Sequence, residues 1–203
     1  MRAQFFDGFN FDTFKYSIVA VERVPSFFNI KDFGIHPFMF DDSCLRGYSC
    51  IFGINDTKHL CLLKLFTNSG SGTAPAIDGI APVSFHSPAG DLRYDLAHEM
   101  DYTGSILIAD GFVQKYFMPF GFQLPHAFRK VFELTFEQGL FIHVENKSED
   151  ARLLRIEYEE PLNAGKKMKM KVGQWLNRNE EYGFDDDLIA QYMDLSYATK
   201  YLF

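Results

Sequence analysis

This chain is short of the residues that usually announce chemistry. Its 203 residues include one Trp and three Cys, and 20 Lys and Arg stand against 27 Asp and Glu, a net charge of −7. Acidity of that size argues against nucleic acid as a direct ligand, because such binders carry a basic face. No apolar run approaches the ~18 residues of a membrane helix, so no membrane partner is expected. The N-terminus, Met1-Arg2-Ala3-Gln4-Phe5-Phe6-Asp7, meets an acid before any apolar h-region, and no signal peptide is read there. Three cysteines cannot all pair, and with no secretory segment they read as reduced thiols in the cytoplasm. No Gly-Lys-Ser/Thr follows Gly70, Gly72 or Gly79, which excludes a phosphate loop of that kind.

What the chain does have is aromatic surface: 23 Phe and 10 Tyr. Rings favour pleated, half-buried positions, so strands should dominate, and the excess leaves some rings for an interface or pocket. Tyr16–Val24 reads as a strand ended by Pro25. Residues 26–42 read as irregular and aromatic-rich. Tyr48–Ile54 and Lys58–Phe66 read as a hairpin joined by Asn55-Asp56-Thr57. In its second arm Leu60, Leu62, Lys64 and Phe66 alternate with Cys61, Leu63 and Leu65.

Residues 67–91, rich in Gly, Ser and Pro, read as a flexible insertion. Strands resume at 102–111, Val113–Met118, Phe128–Phe136, Leu140–Glu145 and Arg152–Tyr158, with a turn at Gln138-Gly139. In the strand at Phe128–Phe136, Val131, Glu133 and Thr135 alternate with Phe132, Leu134 and Phe136, the pattern of one buried face. Past Pro161 come the basic run Lys166–Lys171 and Trp175. From Asp185 to Phe203 an acidic start precedes helical spacing at Leu188, Tyr192, Leu195 and Thr199. The expected fold is α+β: a mainly antiparallel β sheet or partly closed barrel with a C-terminal helix. Residues 1–160 would form the β-rich domain and 161–203 a helical extension.

Candidate sites are few. Arg46, between Cys44 and Tyr48, either offers a bidentate fork to a ligand carboxylate or pairs with a buried acid such as Asp42 or Glu99. Met118, Phe120 and Phe122 form a Met/Phe motif that is either an exposed partner anchor or a core crossing. Cys44 with His36 or His59 would supply a thiol–imidazole pair, but no third orienting group is evident. His86, His98, Glu99 and Asp101 lack the paired histidine spacing of a helical zinc site. The adjacent acids Asp41-Asp42 and Glu159-Glu160 diverge in extended chain. No cofactor, metal or catalytic residue is therefore expected.

Ser43–Leu63 and Tyr102–Glu145 together resemble a family of uncharacterised bacterial β-rich proteins. The likeness rests on Cys44-x-Arg46-Gly47-Tyr48 opening a hairpin, on Thr103-Gly104-Ser105-Ile106-Leu107-Ile108, on Tyr116–Phe122, and on a strand pair turning at Gly139. It covers less than half of the chain. Families of this type are similar in kind to toxin-immunity proteins. The resemblance thus implies a cytoplasmic protein-binding module that occludes a partner such as a cationic toxin domain, with Arg46, Tyr48, Met118, Phe120 and Phe122 as contact residues. An enzyme or small-anion binder using Arg46 in an aromatic pocket, and a self-associating structural subunit, are the competing readings.

Overall fold

A computed structural model describes residues 3–159, apart from positions 71, 73 and 120. It is mostly β: nine strands form one open sheet, mixed but mainly antiparallel, followed by a short helix. The strands are β1 (Gly8–Phe11), β2 (Phe14–Val21), β3 (Tyr48–Ile54), β4 (Leu60–Thr67), β5 (Val83–Ser87), β6 (Gly90–Glu99), β7 (Gly104–Phe112), β8 (Phe128–Glu137) and β9 (Leu140–Asn146). Their spatial order is β5-β6-β4-β3-β1-β2-β7-β8-β9, and only the β1–β3 pair is parallel. The helices are α1 (Val24–Phe27) and α2 (Ser148–Glu159).

Turn chemistry sets the hairpins. Asp12 and Thr13 both adopt positive φ between β1 and β2, as do Gln138 and Gly139 between β8 and β9. Two such residues give a turn whose twist matches the strands it joins. The β3–β4 turn is organised by Asn55, whose Oδ1 accepts from the Thr57 and His59 amides at 3.1 and 2.8 Å.

The sheet curls, so that the Leu60 amide donates to Gly139 O and the Phe141 amide to Lys58 O, both at 2.8 Å. Its inner face holds the larger core. Phe9, Ile18, Phe52, Leu62, Tyr94, Ile106, Ile108 and Leu134 meet Phe27 of α1 and Ile30 and Ile35 beyond it. The Phe27 ring lies 4.8 Å from Phe52 and 5.1 Å from Tyr102, at tilted and edge-on angles suited to ring quadrupoles. On the outer face of β2, β7 and β8, Val19, Leu107, Ala109 and Val131 pack with Ala127 and with Ala151 of α2. Both faces of these strands are therefore buried, over a smaller core outside.

Several expectations need correction. Residues 83–91, expected within the insertion, enter a strand pair that runs on to Glu99, and Asn68, Ile77 and Ala89 within 67–91 are buried. Val113–Met118 is not a strand, because residues 114–116 form a 3-10 turn. Arg152–Tyr158 is helical, within α2. The alternation in β4 breaks at Leu63, which the registers with both β3 and β6 skip. Past this bulge Leu65, rather than Lys64, joins Leu60 and Leu62 in the core. The helix expected over 185–203, the run Lys166–Lys171 and Trp175 lie outside the described residues.

Candidate functional site: a buried ion pair and an exposed aromatic loop

The Cys44–Tyr48 motif folds inward. The Gly47 amide donates to Cys44 O at 3.0 Å, closing a turn, and Gly47 has φ +70°. A Cβ there would lie 2.1 Å from Phe38 O, so the turn requires glycine. Arg46 is thereby turned into the protein, its side chain only 7% exposed, where its Nη2 donates to Asp7 Oδ1. Asp7 is 1% exposed on the segment before β1. The same oxygen accepts the Cys50 amide at 2.7 Å.

The Tyr48 ring lies 4.6 Å and the Phe122 ring 5.7 Å from the guanidinium carbon, adding cation–π contacts. Burial opposes the charge on Arg46, yet the Asp7 carboxylate holds its pKa above the ordinary value. Burial raises the Asp7 pKa, against the pull of Arg46 and the Cys50 amide. Of the acids considered from sequence, Glu99 instead accepts from Asn55 Nδ2 at 2.8 Å. Asp7 stands 39 positions from Arg46 in sequence, and no spacing rule points to it.

The Met/Phe motif lies beside this pair. Met118 is half-buried, with its amide donating to Gln123 Oε1 and its carbonyl accepting from Gln123 Nε2, both at 2.7 Å. Phe122 is half-buried against Phe6, with ring centroids 5.8 Å apart. Phe120 lies outside the described residues.

A second Met/Phe segment is the exposed one. Phe38, Met39 and Phe40 are 52, 53 and 40% exposed in succession. Their backbone is nonetheless held. Asn68, 2% exposed, accepts the Phe38 amide at 3.0 Å and donates to Phe38 O at 2.9 Å. Its Nδ2 also reaches Gly47 O and Ala89 O, at 3.2 and 2.9 Å. On the far side Asp41 Oδ1 accepts the Ser43 amide at 2.8 Å, and the Cys44 amide reaches Asp41 O at 2.9 Å. Phe40 meets Phe38 at 6.2 Å and His86 of β5 at 6.1 Å, while Phe85 nearby on β5 is 40% exposed. The exposed carboxylate of Asp42 follows directly. Three large apolar residues between Pro37 and an acid pair is a readable loop signal; the sequence reading marks 26–42 as irregular and aromatic-rich but places no contact there.

The other candidates are dispersed. Cys44 Sγ donates to Tyr48 O at 3.2 Å, and burial raises its pKa, which disfavours the nucleophilic thiolate. His59 meets Thr57 Oγ1 at 3.3 Å, and His98 pairs with Asp78 at 2.7 Å. Among the described residues, no group of three His, Cys, Asp or Glu side chains is placed to hold a metal. No helix among them is long and apolar enough to cross a membrane. Comparison with protein-family models, curated proteins and solved structures finds no match to this chain.

Proposed function

We propose that this chain is a protein-binding module whose contact segment is Phe38–Met39–Phe40. One observation carries the reading: three successive large apolar side chains face solvent on a loop anchored at Phe38 by the buried Asn68 and at its far side by the Asp41 turn. Exposed rings on a mobile loop would lose their freedom on binding, whereas a locked loop has already lost it. Aromatic and methionine side chains are the common anchors of protein interfaces. Asp42 beside them, and the net charge of −7, suit an apolar pocket with a cationic rim. The most concrete form of this reading is a cytoplasmic immunity-type protein that covers the working site of a toxin.

Arg46 and Tyr48 then serve the contact from behind. The turn at Gly47 that sends Arg46 to Asp7 also receives Asn68, so the ion pair and the loop share one support. A small-anion site at Arg46 is less favoured, because its guanidinium is buried against Asp7. Self-association keeps some support from the edge strand β9, where Ile142 and Val144 are 51 and 39% exposed.

The test is affinity capture from the native host with wild-type protein beside a Phe38→Ser/Phe40→Ser variant. The expected result is a stoichiometric partner that wild type retains and the variant loses, with both proteins equally stable. Retention of that partner by the variant, or no capture by wild type, would overturn the reading. A sizing column separates self-association from a hetero-partner.

A further inference from the structure

At the opposite end of the strand order from β5, the first turns of α2 and the neighbouring strand ends frame an open hollow. It is lined by Arg129, Asn146, Ser148, Glu149, Arg152 and Arg155. Three guanidiniums and one carboxylate give it a local charge of +2 (three minus one), in a chain whose net charge is −7. We propose that this hollow binds a phosphate-type oxyanion, either inorganic phosphate or a small phosphate monoester.

Each donor has a stated cause. Arg152 and Arg155, three residues apart, lie on one face of α2, while Ser148 Oγ is taken up by Val131, accepting its amide at 3.1 Å and donating to its carbonyl at 3.4 Å. Arg155 is fixed by Nη1, which donates to His126 O at 2.9 Å and Phe128 O at 2.5 Å. Its Nε and Nη2 remain uncommitted among the described residues. Arg129, an exposed residue of β8, has no carboxylate partner among the described residues. Asn146 Oδ1 accepts the Ser148 amide at 3.0 Å, which leaves its Nδ2 to donate.

Arg152 already grips an anion. Its Nε and Nη2 meet the two oxygens of Glu149 at 2.8 and 2.6 Å. That internal carboxylate shows the oxyanion geometry one guanidinium offers, and it competes with any ligand for Arg152. A planar carboxylate is satisfied by one fork, whereas phosphate has oxygens directed at several donors and a charge of about −1.5 to −2 at neutral pH. Three arginines around a hollow of charge +2 fit the second chemistry better.

The experiment is an NMR titration of the 15N-labelled full chain at constant ionic strength, with inorganic phosphate, O-phosphoserine and acetate as separate probes. Saturable shifts should cluster at the Asn146–Arg152 amides and the Arg129 Nε–H, with acetate at least about tenfold weaker than phosphate. Arg129→Gln should weaken phosphate about tenfold. Glu149→Gln, which removes the competing carboxylate, should tighten it about threefold. Both side chains are exposed, so neither substitution threatens folding. Tighter binding of O-phosphoserine than of phosphate identifies a monoester as the preferred form, and the reverse identifies the free ion. Unsaturable or scattered shifts, acetate equal to phosphate, or weaker binding after Glu149→Gln would each overturn the proposal.

Discussion

Two loops in this protein have nearly the same composition and opposite placements. Phe38–Met39–Phe40 faces solvent, whereas Met118 and Phe122 are half-buried. Both are held by the same device: a buried side-chain amide pairs with the N–H and C=O of a single residue, as a neighbouring strand would. Asn68 does this for Phe38 across 30 positions, and Gln123 does it for Met118 across five. The difference lies in what is behind each loop. Phe122 packs on Phe6 and the Arg46 guanidinium, while the rings that Phe40 meets are Phe38 and His86. Composition chose aromatic loops in both cases. Long-range partners decided which of them has its rings partly covered.

That contrast can be broken at its strongest point first. Removing one partner of the buried pair, by Asp7→Asn or Arg46→Ala, should cost about 3–5 kcal/mol in urea unfolding, because the remaining group is left desolvated. The double variant Asp7→Asn/Arg46→Ala should cost less than the two single losses added together. Additive losses would show that the pair is not what holds the inner loop.

Asn68→Ala should cost about 2–3 kcal/mol, since several buried backbone groups lose their partner. It should also speed amide exchange at Phe38, while leaving the Met118 amide protected by Gln123. Loss of protection at both amides would join the two loops into one unit. Phe40→Ser should change stability by less than ~0.5 kcal/mol and weaken capture of a partner by about 2 kcal/mol. A large loss of stability instead would place Phe40 among the structural rings.

The smallest effect belongs to the exposed side of the sheet. Asp95 accepts from Lys64 Nζ at 2.9 Å and from Arg93 Nη2 at 2.7 Å. Hydrogen bonds from Lys64 and Arg93 hold its pKa below the usual 3.8. A lowered folded pKa stabilises above the unfolded value, and that stability fades as acid takes the pH down through the folded one. Asp95→Asn should therefore cost under ~1 kcal/mol at neutral pH. Its unfolding curve should merge with wild type at the acid end of the titration.

The hairpins were readable because their signals are local. Gln138-Gly139 marks one turn, Asn55-Asp56-Thr57 marks another, and Phe132, Leu134 and Phe136 of β8 alternate onto the inner core, although Val131 on the other face is buried as well. The sequence of β6 also alternates, with Leu92, Tyr94 and Leu96 against Asp91, Arg93 and Asp95, but the Gly, Ser and Pro preceding it hid the signal. In α2, Ser148-Glu149-Asp150 is a helix start that the following leucines disguised as strand. The bulge at Leu63 depends on two neighbours at once, and no single strand's pattern contains it. The Asp7–Arg46 pair and the Asn68 clamp bridge 39 and 30 positions. Only the folded sheet brings those residues together.

The central place of β1 has a consequence for how the chain is made. β1 and β2 leave the ribosome before β3 and β7 and can close on each other at once, but each still waits for its other neighbour. β3 begins at residue 48 and β7 at residue 104. At roughly 5–20 residues per second, the open side of β2 waits on the order of 5–20 seconds for β7. Throughout that interval Ile18 and Val21 belong to an unfinished sheet, and a chaperone that shields nascent strands would find its target in the hairpin of β1 and β2.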